Sequence, residues 1–176
     1  MKKRISRVRT GKGETQHRSA ALALISAAFL LGGVLGFLVQ EEFSASSYIQ
    51  LFLQDSISGP SVGQELWWVF RWPVGLILLQ LLPLAGFTIP ATICLRGFLL
   101  SYSISAFVQV QIKTAILLFG PTCAFTLPVL FLLSTAILLR KAGERYEQKP
   151  VALLACLLSL LLCIMIDLTV VPMLLA

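Results

Sequence analysis

Long uncharged apolar runs separated by short clusters of charge make up most of the chain. Residues 20–39 supply twenty uncharged positions, 72–95 supply twenty-four and 114–139 supply twenty-six, while 97–112 and 151–166 supply sixteen each. A helix needs about 20 apolar residues to cross a hydrocarbon core of about 30 Å. The pattern therefore predicts five membrane-spanning helices over about 20–39, 72–95, 97–112, 114–139 and 151–172, the last extended past Asp167. The two sixteen-residue runs are short for a crossing and call for local thinning or snorkelling. The expected fold is all-α: a polytopic integral membrane protein with a basic tail over 1–19 and a single transmembrane helical domain over 20–176. An outer segment over 40–71 and a cytoplasmic loop over 140–150 complete it.

Charge fixes the expected orientation. Eight of the 22 charged residues lie in 1–18, five in 41–71 and six in 140–149, so only Arg96, Lys113 and Asp167 fall elsewhere. Five crossings that start in the cytoplasm place twelve Lys and Arg residues inside and two, Arg71 and Lys113, outside. The positive-inside rule favours that arrangement, with the N-terminus cytoplasmic and the C-terminus outside. The first apolar run has twenty residues, too long for a cleaved signal peptide, and reads as an uncleaved anchor.

Composition narrows the class. The chain has 176 residues, 57% hydrophobic and 12% charged, against about 25% charged in an average soluble domain. The net charge of +6 arises largely from seven basic residues in the first eighteen, next to an apolar run, so it reads as a membrane-orienting tail and not as a nucleic-acid surface. Cys94, Cys123, Cys156 and Cys163 all lie in apolar stretches without a C-x-x-C pair, and read as buried thiols that pack as small hydrophobes.

Small residues, tryptophans and prolines mark candidate contacts. Gly32 and Gly36 are spaced i, i+4 in the first span, and Gly97, Ser101 and Ser105 repeat that spacing in the third, which suits close helix packing within the bundle or against a partner's helix. Trp67, Trp68 and Trp72 cluster where the chain re-enters the bilayer and are expected as interfacial anchors. Tyr48, Leu51 and Phe52 at helical spacing suggest a short interfacial helix, followed by a turn at I-S-G-P-S-V-G. Pro83, Pro90, Pro121 and Pro128 bend or break their spans. Pro121 can instead start the fourth span, which leaves open whether residues 114–119 cross or skim the membrane.

Catalytic chemistry has few carriers in this sequence. His17 is the only histidine and lies in the basic tail, so neither a serine–histidine pair nor an H-E-x-x-H site can form in a span. Asp167 is the only acid within the apolar segments, one short of a two-aspartate mechanism. It is expected at the outer membrane surface or paired with Lys113, with a proton or substrate site as the alternative. No enzyme, cofactor or metal is expected, and no small-molecule substrate.

Arg96 is the only charge between Trp72 and Ile112, and Gly97 follows it. The five-span count places it at the cytoplasmic surface, where it snorkels to headgroups while Gly97 makes a tight link between the second and third spans. Arg96 and Asp167 are accordingly expected as structural charge sites. On that view Arg96→Leu disturbs insertion of the hairpin.

The order of these features resembles the stage II sporulation protein M family of bacterial membrane proteins. The likeness runs from about Ala21 to Ala176: L-L-G-G-V-L-G-F-L-V as first span, then L-P-L-A-G-F-T-I-P-A-T-I-C-L-R-G-F-L-L-S-Y-S-I-S-A-F, then the paired prolines of L-F-G-P-T-C-A-F-T-L-P-V-L-F, and Asp167 before Pro172. Ser101 stands where the family often has glycine, and Thr122-Cys123 where more polar residues are expected. The resemblance implies a non-catalytic scaffold or anchor in the bacterial cell membrane, at the septal or engulfing mother-cell membrane. It would act in forespore engulfment and peptidoglycan remodelling, with partners resembling stage II sporulation proteins D and P. The alternative is a small permease or the membrane subunit of an exporter, which requires a coherent polar path through the spans.

Overall fold

The computed structural model describes residues 2–42, 62–110, 112–141 and 150–175. In chain order these form α1 (Lys2–Glu42), α2 (Val62–Leu79), α3 (Ala85–Val110), α4 (Ile112–Pro121), a π-helical turn (Thr122–Thr126), α5 (Leu127–Lys141) and α6 (Pro150–Leu175). Among the described residues, three stretches are long and apolar enough to cross a membrane: His17–Gln40, Ala85–Gln109 and Phe119–Lys141. The apolar parts of α2 and α6, Val69–Leu79 and Leu154–Thr169, are shorter. The expected interfacial helix near Tyr48 and its following turn lie outside the described residues.

The link expected at Arg96–Gly97 is not a link. α3 runs unbroken through both residues, so the second and third spans expected over 72–95 and 97–112 are divided elsewhere. The chain turns at residues 80–84, Q-L-L-P-L, between α2 and α3. Pro83 lacks an N–H and disfavours helical backbone at Leu82, which ends the helix there. The last turn of α2 tightens, with Leu81 N–H donating to Leu78 O and Leu82 N–H to Leu79 O, each at 3.1 Å. This turn carries no charge, so a reading that located turns by charge could not see it.

Gly97 serves close packing. α1 and α3 meet backbone to backbone along Gly32, Gly36 and Gly97, all three buried. A methyl group at Gly32 would collide with the Cys94 carbonyl, one at Gly36 with the Phe98 carbonyl, and one at Gly97 with the Phe29 carbonyl. The contacts 32 with 94 and 36 with 98 advance together, so the two helices run in the same direction. Gln109 Nε2 donates to Gln40 Oε1 at 3.4 Å further along the same seam. Where lipid gives helices no hydrophobic drive to associate, such close approach gains dispersion and weak C–H···O contacts.

α3 and the α4–α5 rod run in opposite directions. Near one end Phe107 meets Phe119 edge-to-face at 5.5 Å, and at the other Lys141 Nζ donates to Leu82 O at 3.3 Å. α5 also leans on α1, through the edge-to-face pair Phe29 and Phe131 at 5.4 Å. The centre is apolar: Ile25 of α1, Leu76 of α2, Ile89 and Ile93 of α3, and Leu130 and Ile137 of α5 form one buried cluster. A second cluster joins Val69 of α2, Val129 of α5, and Leu160, Cys163 and Ile164 of α6.

Candidate functional site

Two groups of polar side chains inside this bundle each draw on more than one helix. In the first, Trp72 of α2 lies between two cations. The Arg96 guanidinium of α3 stands 5.0 Å from the centre of the Trp72 ring, and that of Arg71 stands 5.6 Å from it. An aromatic face attracts a cation through its quadrupole, more strongly when both are desolvated. The ring holds both arginines near each other despite their repulsion.

Arg96 sits eleven residues into α3, about 16 Å along the axis from its start at about 1.5 Å per residue. It is therefore near the middle of the helix, so the break between spans from which a place at the cytoplasmic surface was expected is absent. A central arginine costs about 2.5 to 3.5 kcal/mol on insertion scales. Its Nε is buried and has no hydrogen-bond partner among the described residues, and neither has the buried indole N–H of Trp72. The buried hydroxyls of Thr88 and Ser134 are likewise without a partner among the described residues.

The second place surrounds the π-helical turn. Pro121 and Pro128 flank it, and each lacks the N–H that would close an ordinary α-helical turn. The Ser159 hydroxyl of α6 donates across to Phe125 O at 3.2 Å, giving that carbonyl a partner from a neighbouring helix. The fully buried Cys163 lies 3.8 Å from Thr126 Oγ1 and donates to Asp167 Oδ2 at 3.5 Å. Asp167 is half-buried one turn beyond Cys163 on α6, while Lys113 is exposed at the start of α4.

The remaining residues singled out in the sequence are spread along the helices. Ser101 and Ser105 are half-buried and follow Gly97 at helical spacing on α3. Trp67 is 67% exposed near the start of α2, as an interfacial side chain would be, and Trp68 follows it on the same helix. Trp72 is half-buried and packs against the central apolar cluster. Residues 114–119 are helical and continue without interruption through Pro121 into the π-helical turn. Sequence reasoning missed the Arg71–Trp72–Arg96 grouping, since it assigned Arg71 to the outer segment and Arg96 to the opposite surface. The signal that could have found it is Pro83, which allows the α2–α3 turn to bring 71–72 beside 96.

Comparison with protein-family models, curated proteins and solved structures gives no match for this chain.

Proposed function

We propose that the protein is a non-catalytic membrane scaffold that crosses the bilayer five times and anchors partner membrane proteins. The observation that carries this reading is the apolar centre. Where a permease needs a polar path, Ile25, Leu76, Ile89, Ile93, Leu130 and Ile137 fill the space between four helices. Three of the polar residues that could line such a path are engaged locally: Thr92 donates to Thr88 O at 2.8 Å, Gln109 to Gln40, and Thr126 meets Cys163.

The crossings in this proposal are α1, α2, α3, the α4–α5 rod and α6, with the N-terminus cytoplasmic and the C-terminus outside. Parallel α1 and α3 and the opposed α4–α5 rod support that alternation. Removing Arg71 and Arg96 to the membrane interior leaves eleven Lys and Arg residues inside and Lys113 outside, so the charge bias remains. Cysteine labelling at Lys113 from outside and at Tyr146 only from inside is the expected result; the reverse pattern overturns the topology.

Within this reading, the resemblance to stage II sporulation protein M supplies the cellular setting: anchorage of peptidoglycan-degrading partners resembling stage II sporulation proteins D and P during engulfment. Deletion of the gene in a sporulating host should stall engulfment under the microscope, and normal engulfment removes that setting. One pair of features favours the second reading, a permease or exporter subunit: the mid-helix cation Arg96 and the proline-flanked π-helical turn, since broken helices occur at transporter sites. Growth defects that depend on a particular solute would raise it.

A further inference from the structure

Three of the apolar stretches end at about one level of the bundle. The contacts of Gly32 with Cys94 and Gly36 with Phe98 set the register of parallel α1 and α3, which brings Arg18 level with residue 80. Across the antiparallel pair, Phe29 against Phe131 brings Arg18 level with residue 142, at the end of α5. Lys141 Nζ donates to Leu82 O at 3.3 Å, which ties that end of α5 to the α2–α3 turn. The stretches His17–Gln40, Ala85–Gln109 and Phe119–Lys141 therefore have His17, Ala85 and Lys141 at the same end. We infer that this end of the bundle binds the headgroup of an anionic phospholipid through Arg140 and Lys141, with Arg18 on the neighbouring helix. The inference rests on the membrane-crossing part of the scaffold reading and adds a lipid partner to it.

Helical register brings the cations towards one another. Ile25 and Gly32 lie on the packed stripe of α1, and Arg18 continues it seven residues before Ile25. Leu130 and Ile137 lie on the packed stripe of α5, and Lys141 continues it four residues after Ile137. Arg140 and Lys141 are both exposed. An ammonium has three donors, and the bond to Leu82 O occupies one. Residues 1–18 and 140–149, which the five-crossing topology puts on this side, hold eleven Lys and Arg residues against three acids, so the local field favours an anion. The turn beside Lys141 is apolar and faces outward: Leu81 is 81% exposed, Leu84 70% and Phe87 78%. Cations next to such a surface suit the boundary where acyl chains meet phosphates, and one lipid molecule matches both parts. A soluble acidic partner or free phosphate matches only the cations. A zwitterionic lipid brings a further positive charge to the same place.

Native mass spectrometry of the purified full chain, equilibrated in detergent with equal amounts of phosphatidylglycerol and phosphatidylcholine, tests this. Phosphatidylglycerol should be retained in preference. Arg140→Gln combined with Lys141→Gln should lower its retention by about thirtyfold, about fivefold for each cation removed near an anionic headgroup. Phosphatidylcholine retention and unfolding in lipid-free detergent should stay as in wild type, which separates headgroup binding from folding. Arg140→Gln alone leaves the Lys141 bond to Leu82 in place and should lower retention about fivefold; it decides the matter if the double variant unfolds. Arg140→Lys combined with Lys141→Arg keeps both charges and should keep the preference. Lys113→Gln, exposed at the opposite end of the bundle, should leave it unchanged. Equal retention of the two lipids by wild type, a preference that survives loss of both cations, an equal loss with Lys113→Gln, or displacement of the lipid by excess inorganic phosphate each overturns the inference. If alkaline carbonate washes the chain off membranes, the membrane-crossing reading falls and this site with it. If Tyr146 is labelled from outside while the lipid preference holds, the proposed orientation falls and the site stands in the other leaflet.

Discussion

The α1–α3 seam and the Arg71–Trp72–Arg96 grouping meet on α3 at adjacent residues, Gly97 and Arg96, and differ in kind. At the seam, three glycines bring backbones together and leave no space for even a methyl group. At the arginines, large side chains hold two cations near one ring, and Arg96 Nε and the Trp72 indole N–H are buried without a hydrogen-bond partner among the described residues. The first is a finished contact whose worth lies in steric fit. The second gathers large side chains and positive charge, so the same helix carries one contact set by fit and another set by polarity.

Steric substitution at the seam gives the largest expected effect. Gly32→Val places a side chain against the Cys94 backbone, which cannot move as a flexible side chain could, and should destabilise the bundle by about 3 kcal/mol in detergent unfolding. Gly33→Ala, where nothing lies within 4 Å, should change stability by less than about 0.5 kcal/mol. Equal losses at both positions would show that the seam does not depend on close approach.

Arg96→Leu sharpens the other side of the comparison. A charge at a tight link would be needed for insertion, whereas a mid-helix cation without an acceptor opposes it. The variant should insert with unchanged topology and gain up to about 2.5 to 3.5 kcal/mol of insertion free energy, read by a glycosylation-mapping assay. Poorer insertion would return Arg96 to a role in topology.

Smaller effects are expected where single hydrogen bonds are cut. Ser159→Ala removes the donor to Phe125 O and should cost about 1 kcal/mol of unfolding free energy, with increased amide exchange around the π-helical turn. Gln109→Leu removes the long 3.4 Å bond to Gln40 at the far end of the seam and should cost about 0.6 kcal/mol, the average for such bonds between membrane helices. A loss at Gln109 larger than that at Gly32 would reverse the ranking of fit over polarity.

The helices were legible because their signal is local. Runs without charge show where backbone must be helical, and Gly32, Gly36 and Gly97 carry a spacing whose physical use is close approach. The α2–α3 turn was hidden because Q-L-L-P-L is as apolar as the helices it joins. Hydropathy measures what a segment would lose in water and is silent about where an apolar segment reverses direction. Pro83 held the information, but Pro73 and Pro90 lie inside α2 and α3, so a proline alone does not mark a turn.

By itself the sequence determined the class of the protein: apolar runs too long and too poor in charge for a soluble core, an all-helical solution, and a basic tail beside the first run. Backbone groups in lipid must bond within their own segment, which leaves an apolar chain of this kind few alternatives to helix. Only the tertiary structure decided what Arg96 is. The turn at 80–84 folds α2 back along α3, sets Trp72 against Arg96, and places at mid-helix a charge that its uncharged neighbours had suggested was an end. Position along a chain sets which residues are helical, but depth and neighbours depend on where the chain reverses, and here one proline in an uncharged turn set that point.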